Sequence, residues 1–310
     1  MSKFRAYVKV ASLVAVSVML IASSNAVGAP KYSDWSTPTN LGPIVNSAFV
    51  DGGPAISKDG LSLYLSSTRP GGFGLSDIWV SQRASEDDPW GPPVNLGPAI
   101  NTEFTEDIPG FSRDGHWMFF NCNRPGGFGL ADLWASYRED VHDDFDWQAP
   151  VNLGPGVNSA FFDQGATYFE NDELGLPLLY FGSNRPGGLG AQDIYVSAQL
   201  SDGSWGASEL VPELSSSVFD QRPSIRFDGL EMFFFSDRPG GFGPFDVWVS
   251  TRDSTSDPWT TPVNPGASVN SPQDDRQAYI GSDRKTLFFR SARPGGFGDA
   301  DLYVTTRVRV

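Results

Sequence analysis

The apolar positions of this chain fall in short runs separated by turn signals, a pattern that predicts β-strands. Leu61–Ser66 is an apolar run that follows a Ser-x-Asp-Gly turn, and Asp77–Val80 alternates after an Arg-Pro-Gly-Gly turn. Asp-Gly and Pro-Gly steps are typical of turns between antiparallel strands. A strand before the Asp-Gly pair and an extended stretch after an outer tryptophan complete the unit. Each unit therefore predicts four antiparallel strands.

This four-stranded unit is repeated five times. The phrase SSTRPGGFGLSDIWVS begins at Ser66 and returns four times with few changes, and its arginines are Arg69, Arg124, Arg185, Arg238 and Arg293. They are separated by 55, 61, 53 and 55 residues, the period of a supersecondary unit repeated about an axis. We therefore predict an all-β fold, a five-bladed β-propeller. Because the last unit ends one strand short, the N-terminal segment Trp35–Leu41 is expected to complete its blade.

The first 26 residues differ from the rest of the chain. Three basic residues, Lys3, Arg5 and Lys9, precede the apolar run Val10–Ala22, and Ser24-Asn25-Ala26 offers small residues for cleavage. A run this short predicts a secretory signal peptide and is too short for a membrane span. We expect residues 1–26 to be the signal peptide, residues 27–310 to form one propeller domain, and the protein to be periplasmic or extracellular.

The chain is strongly acidic, with a net charge of −15 at pH 7. Such a surface repels nucleic acid and anionic lipid, so the expected partner is a glycan or a protein, with no nucleic acid and no membrane span. The glycine runs lie in turns with no helix after them, and no cofactor is predicted. The acidic segment Glu139–Asp144 could hold calcium, but it lacks the spacing of a known calcium loop and is more simply solvated.

The order of these motifs resembles a known repeat. D-x-x-P-x-x-S-x-D-G, an aromatic strand, S-x-R-P-G-G and D-I-W-V-S are similar to the WD40-like repeat of TolB-type propellers, which are exported bacterial proteins. The likeness covers residues 35–310, although the third unit departs from it with Asn171-Asp172-Glu173 and Pro177. The resemblance implies a propeller, but the family includes binding domains, hydrolases and lyases, so it selects no reaction.

Some polar residues are better explained by the fold than by chemistry. The repeated arginine and aspartate, such as Arg69 and Asp77, are always eight residues apart, and we expect them to form a structural charge-assisted pair. Cys122 stands where the other repeats carry serine, so it is interpreted as a bystander thiol. The two histidines, His116 and His142, are too isolated to indicate a catalytic triad or a metal site.

A second acidic series marks the entry to the innermost strand of each unit, at Asp51, Glu106, Asp163, Asp220 and Asp275. In a propeller this entry lies at the rim of the central funnel, so the carboxylates could face a ligand. Alternatively, each accepts hydrogen bonds from the loop of its own blade. The flanking residues differ between blades, as a single site requires. The predicted ligand-binding set is Glu106, Asp163, Asp220, Asp275, Arg222 and Arg276.

Two classes of function follow, and the sequence leaves enzymatic activity open. The five units are closely alike, so our first expectation is an exported binding or interaction propeller. It would hold a glycan, a peptide or an envelope protein at its central funnel or loops. The alternative is a carbohydrate-active hydrolase or lyase with dissimilar funnel carboxylates, because two acids at a suitable separation can cleave a glycosidic bond. The catalytic residues of such an enzyme are unknown from sequence.

Overall fold

The computed structural model describes residues 31–310. The predicted signal peptide, residues 1–26, lies outside the described residues. Within the described range the secondary structure is built from β-strands and turns, arranged as five antiparallel sheets in a ring. The predicted all-β, five-bladed propeller is confirmed.

Each blade runs outward from an inner strand through two middle strands to a short outer strand or bridge. The first strand of the chain, β1 (Thr39–Asn40), belongs to the last blade. Blade 1 consists of β2 (Asp51–Ile56), β3 (Ser62–Ser67), β4 (Asp77–Gln82) and β5 (Val94–Asn95). Blade 2 consists of β6 (Glu106–Phe111), β7 (Trp117–Cys122), β8 (Asp132–Tyr137) and β9 (Val151–Asn152).

The other three blades follow the same plan with small departures. Blade 3 consists of β10 (Asp163–Asn171), β11 (Leu176–Ser183), β12 (Asp193–Ala198) and β13 (Glu209–Leu210). Its first hairpin is longer than the others, where the sequence departs from the repeat. Blade 4 consists of β14 (Asp220–Ile225), β15 (Glu231–Ser236) and β16 (Asp246–Thr251), with a single outer bridge from Val249 to Val263. Blade 5 consists of β17 (Asp275–Ile280), β18 (Thr286–Ser291) and β19 (Asp301–Thr306).

The N-terminal segment closes the ring, as predicted. Strand β1 pairs antiparallel with β19, with Thr39 opposite Val304, and becomes the outer strand of blade 5. Trp35 lies under the Arg307 guanidinium, 4.5 Å from its ring centroid. Equivalent arginine and tryptophan pairs lie 4.2–4.5 Å apart in three other blades, at Arg83–Trp90, Arg138–Trp147 and Arg252–Trp259. The N-terminal tryptophan thus fills the outer position that the fifth repeat lacks.

The core lies between the blades, where the middle strands of neighbouring sheets face each other. Tyr64 and Ile78 of blade 1 pack with Met118 and Phe120 of blade 2 in one buried cluster. Burial of one such large side chain contributes about 1.5–3 kcal/mol, and neighbouring blades repeat the arrangement around the ring. Apolar packing therefore holds neighbouring blades together.

Every inner strand carries a bulge at its third residue. The pairing with the second strand shifts register there, and the backbone takes a positive φ of 53–63° at Gly53, Ile108, Gly165, Arg222 and Gln277. Glycine adopts this conformation freely, whereas for a β-branched residue such as Ile108 it is strained. A bulge re-aims the side chains of a strand, and strain of this kind is concentrated at functional sites. The five bulges together surround the propeller axis.

Candidate functional site

The repeated carboxylates of the inner strands lie in ion pairs that hold the loops of their blades. Each accepts a hydrogen bond from the repeated arginine of the same blade, in the pairs Asp51–Arg69, Glu106–Arg124, Asp163–Arg185, Asp220–Arg238 and Asp275–Arg293. In blade 5, Arg293 Nη2 donates to Asp275 at 2.7 Å, and the Ser271 amide and hydroxyl donate at 2.6 and 2.7 Å. All five carboxylate side chains have 0% of their surface exposed.

The expected pair of Arg69 with Asp77 is therefore wrong. Arg69 reaches back to Asp51 on the inner strand, while Asp77 folds over its own turn and accepts hydrogen bonds from the Phe73 and Gly74 amides. The shape of this turn and the position of the Asp77 carboxylate over it explain both glycines of Arg-Pro-Gly-Gly. Gly71 has a φ of 97°, and a Cβ at Gly72 would lie 2.1 Å from the Asp77 carboxylate. The aspartate and the turn are thus one structural unit.

These contacts also correct the predicted position of four site residues. Glu106, Asp163, Asp220 and Asp275 were expected to face a ligand, but the structure buries all four side chains in the ion pairs. A ligand on the axis would have to displace an arginine to reach any of them, and breaking a buried ion pair is costly. The structure thus favours the alternative, in which each carboxylate serves its own loop.

The side chains that follow these carboxylates instead reach towards those of other blades around the centre of the ring, here called the channel. The second position of the inner strands carries Gly52, Asp107, Gln164, Gln221 and Arg276, and the bulge position follows it. Gln221 Nε2 donates to Gln164 Oε1 at 2.7 Å, which joins blade 4 to blade 3. Arg276, one of the predicted ligand-binding residues, belongs to this ring.

Arg222, the other predicted arginine, crosses the axis of the propeller. Its side chain begins at the bulge of blade 4, is 2% exposed, and donates from Nη2 to the Pro54 carbonyl of blade 1 at 2.8 Å. Gln277 of blade 5 likewise accepts from the Gly53 amide of blade 1 at 2.8 Å. Glycine is required at blade 1, since a Cβ at Gly52 would lie 2.6 Å from the Gln277 amide oxygen. Side chains of several blades therefore converge at the centre.

The channel combines two carboxylates with three guanidinium groups. Asp107 is half-buried close to Arg222 and Arg290, and desolvation raises its pKa although both cations oppose that shift. Burial lowers the pKa of Arg222 to about 10, so it stays charged at neutral pH. Burial and the nearby charge of Arg276 lower the pKa of Arg290. Arg276 in turn donates to Asp274 at 2.5 Å, and its guanidinium lies 3.8 Å from the Phe245 ring centroid.

Three polar atoms of this region are buried without a partner among residues 31–310. They are Nη1 of Arg222, Nε of Arg276 and Oδ1 of Asp274. A buried donor or acceptor left unpaired costs about 1–3 kcal/mol, so native proteins seldom keep several together without a use for them. Together with the ionisable groups gathered there, these three of the twelve such atoms among residues 31–310 mark the channel as the candidate functional site.

The remaining candidates from the sequence take structural positions. Cys122 is buried, donates from Sγ to Glu106 at 2.9 Å, and accepts from Arg124 at 3.0 Å, so it replaces the serine of the other blades. Burial and the Glu106 carboxylate raise its pKa to about 12, which leaves almost no thiolate at neutral pH. The Nδ1 of His116 contacts the Arg138 carbonyl at 2.9 Å. His142 is exposed beside Asp59.

The acidic segment Glu139–Asp144 also uses its carboxylates within the fold. Asp144 is buried and accepts hydrogen bonds from Tyr64, Gln82 and Arg138 at 2.7–2.9 Å. Within the described part of the chain, no group of three or more histidine, cysteine or acidic residues could hold a metal ion.

Several residues of the candidate site lay outside the predicted set, namely Asp107, Asp274, Arg290 and the glutamines Gln164, Gln221 and Gln277. Asp107 follows Glu106 directly, and the period of two along a strand would have placed it on the side opposite to the repeated carboxylate. Arg290 lies directly opposite Arg276 on the adjacent strand. The other blades carry Ser66, Asn121, Gly182 and Phe235 at this position. Variation at that repeat position is the signal that could have found it.

Neither a protein-family model nor a curated protein sequence matches the chain. Several solved structures match the chain. The match to the catalytic domain of the GH62 α-L-arabinofuranosidase of Coprinopsis cinerea has 13% identity, covers 90% of this chain and 98% of that one, and has a TM-score of 0.62. The α-L-arabinofuranosidase of Lactobacillus brevis matches with 12% identity, coverages of 86% and 92%, and a TM-score of 0.59. TolB of Acinetobacter baumannii matches with 14% identity, coverages of 86% and 56%, and a TM-score of 0.49. At identities this low, the two arabinofuranosidase matches show a shared fold alone.

Against this comparison, our first functional expectation of a binding or interaction propeller is wrong. Further similar structures are family 43 and family 62 glycoside hydrolases, one in complex with xylotriose and one with cellotriose. Carbohydrate-active hydrolases, the alternative that the sequence left open, are thus the class of these neighbours.

Proposed function

We propose that this protein is a carbohydrate-active hydrolase whose active site is the central channel. The similar folds named above include glycoside hydrolases, and the channel holds an asymmetric set of ionisable groups in a repeated scaffold. The observation that carries the proposal is the position of Asp107 and the direction of its pKa shift. Asp107 is the acidic residue among the five second positions of the inner strands, and it is half-buried with a raised pKa.

A glycosidase requires one carboxylic acid that protonates the leaving oxygen and a second carboxylate that attacks the sugar or activates water. Burial holds the pKa of Asp107 above its usual range, which suits the proton donor. Asp274 suits the second role because it is part-exposed, is paired with Arg276, and keeps one buried oxygen unpartnered within residues 31–310. Gln164, Gln221 and Gln277 supply amides that can hydrogen-bond sugar hydroxyls.

The test is hydrolysis of a glycan panel that contains arabinofuranosides and xylosides, the substrates named for the similar enzymes. We expect the wild-type protein to cleave at least one glycan, and Asp107→Asn to lose about 10²–10⁴-fold in rate, as removal of a general acid does. Asparagine mimics the protonated carboxyl, so the variant should fold. Asp299→Asn is the matched control, since Asp299 is exposed on a turn of the same face.

Failure of the protein to cleave any glycan would contradict the proposal. Equal rates for Asp107→Asn and the wild type would contradict the assignment of the proton donor. Asp274→Asn is expected to reduce the rate to a similar extent as Asp107→Asn.

We also propose that the protein is exported and that its blades are WD40-like repeats of the TolB type. The basic and apolar residues 1–22 support export. Across residues 31–310 the structure contains no helix long and apolar enough to cross a membrane. The repeated S-x-R-P-G-G and D-I-W-V-S motifs support the repeat type. Mass spectrometry of the secreted protein tests export, with a mature N-terminus near Val27 as the expected result.

A further inference from the structure

We infer that the channel binds a sugar that carries a carboxylate, such as a uronic acid residue of a glycan. This inference rests on the proposed function and names the substrate class of the same site. It starts from a contrast in charge. The protein is strongly acidic overall, with a net charge of −15, whereas its channel holds three arginines against two aspartates.

The two arginines of blade 5 are placed unfavourably for an empty channel. Arg276 and Arg290 are directly opposite each other on β17 and β18, and like charges in that position repel. In the other four blades the same cross-strand pair has at most one charged residue, as in Gly52 with Ser66 and Asp107 with Asn121. A like-charge pair found in one blade alone is not a requirement of the repeat.

The unpartnered donors indicate what would relieve this repulsion. Arg222 is 2% exposed and Arg276 is part-buried, and each has a guanidinium nitrogen with no hydrogen-bond partner among residues 31–310. Guanidinium groups bind carboxylates through paired, charge-assisted hydrogen bonds. A carboxylate bound among Arg222, Arg276 and Arg290 would satisfy the free donors of the first two and offset the repulsion between Arg276 and Arg290.

The rest of the ring fits the neutral part of such a ligand. Gln164 and Gln221 offer amide groups beside the arginines, and Phe245 lies against the Arg276 guanidinium. Amides hydrogen-bond hydroxyl groups, and the Phe245 ring supports the Arg276 guanidinium through a cation–π contact. Because Arg222 and Arg290 lie close to Asp107, the carboxylate of the ligand and the bond to be cleaved would be neighbours in the channel.

Isothermal titration calorimetry on the full folded protein tests the inference. The probes are galacturonate and glucuronate, the neutral sugars galactose and glucose, and acetate, which carries the carboxylate without the ring. We expect one uronate to bind at least about tenfold more tightly than its neutral counterpart and than acetate, as one charge-assisted hydrogen bond allows. Arg290→Gln should remove that preference, whereas Arg113→Gln, at an exposed arginine outside the channel, should keep it.

Thermal unfolding separates a binding role from a structural one. Because Arg290→Gln relieves the repulsion with Arg276, we expect this variant to melt at or above the temperature of the wild type. A lower melting temperature with unchanged uronate affinity would overturn the inference, as would equal affinity for uronates and neutral sugars. Hydrolysis of a neutral glycan without uronate preference would also overturn it and leave the hydrolase proposal standing. Uronate binding without hydrolysis of any glycan would support it and refute the hydrolase.

Discussion

Asp275 provides a sharp test of how the repeated carboxylates act. It has no exposed side-chain surface and accepts hydrogen bonds from Arg293, the Ser271 amide and the Ser271 hydroxyl. In Asp275→Asn the amide group turns one acceptor into a donor that faces another donor, and Arg293 loses its charged partner. Breaking a fully buried ion pair costs about 3–5 kcal/mol. Because 15% of the Arg293 side chain is exposed, we expect the lower end, about 3 kcal/mol.

For a domain of this size, 1 kcal/mol shifts the melting temperature by about 2–4 °C, so the expected loss is roughly 6–12 °C by differential scanning calorimetry. Asp299→Asn is the control and should melt with the wild type. A double variant with Arg293→Gln should lose less than the sum of the single variants, because both remove the same pair. If Asp275→Asn melts within about 2 °C of the wild type yet loses ligand binding, the carboxylate faces a ligand and our reasoning is refuted.

Three further predictions follow from the fold and the site. Deletion of residues 31–41 should lower the unfolding free energy by several kcal/mol, at about 1 kcal/mol per lost backbone hydrogen bond, and an unchanged urea midpoint would contradict closure. Cys122 should not react with a thiol reagent at pH 8 in the folded protein but should react in denaturant, because burial raises its pKa to about 12; fast native labelling would contradict this. Because the pKa of Asp107 is raised, the rate of hydrolysis should fall as the pH rises through the pKa of this carboxyl in the folded protein. The contribution of Asp107 to the unfolding free energy should decrease over the same pH range. An identical pH–rate profile for Asp107→Asn would contradict its role as the proton donor.

The architecture could be predicted from the sequence because each strand boundary carries a local signal. Asp-Gly steps, Pro-Gly turns and the period of the repeat are properties of adjacent residues, and they indicated four strands per blade. Closure was also predictable, since Trp35 repeats the outer tryptophan of the other blades and stands ahead of the first inner strand. These features depend on backbone geometry over a few residues.

The partners of the repeated charges could not be read in the same way. Arg69 has two carboxylates within reach, Asp77 at eight residues and Asp51 at eighteen, and only the path of the folded turn selects Asp51. The bulge was equally hidden. Gly53 and Gly165 hint at a positive φ, but Ile108 and Arg222 at the same position do not, because these residues disfavour that conformation. Tertiary contacts near the propeller axis impose the positive φ at Ile108 and Arg222. The candidate site differs from its sequence prediction in this axial region.

The position of a bound glycan tests the central claim most directly. The Asp107→Asn variant, crystallised with a glycan that the wild-type protein cleaves, should retain the uncleaved ligand. We predict density in the central channel, with the glycosidic oxygen about 3 Å from the side chain of residue 107 and with sugar atoms in contact with Arg222 or Arg290. A glycan bound only on the outer groove formed by Trp117, Tyr168 and Trp205, with no sugar density in the channel, would contradict the account.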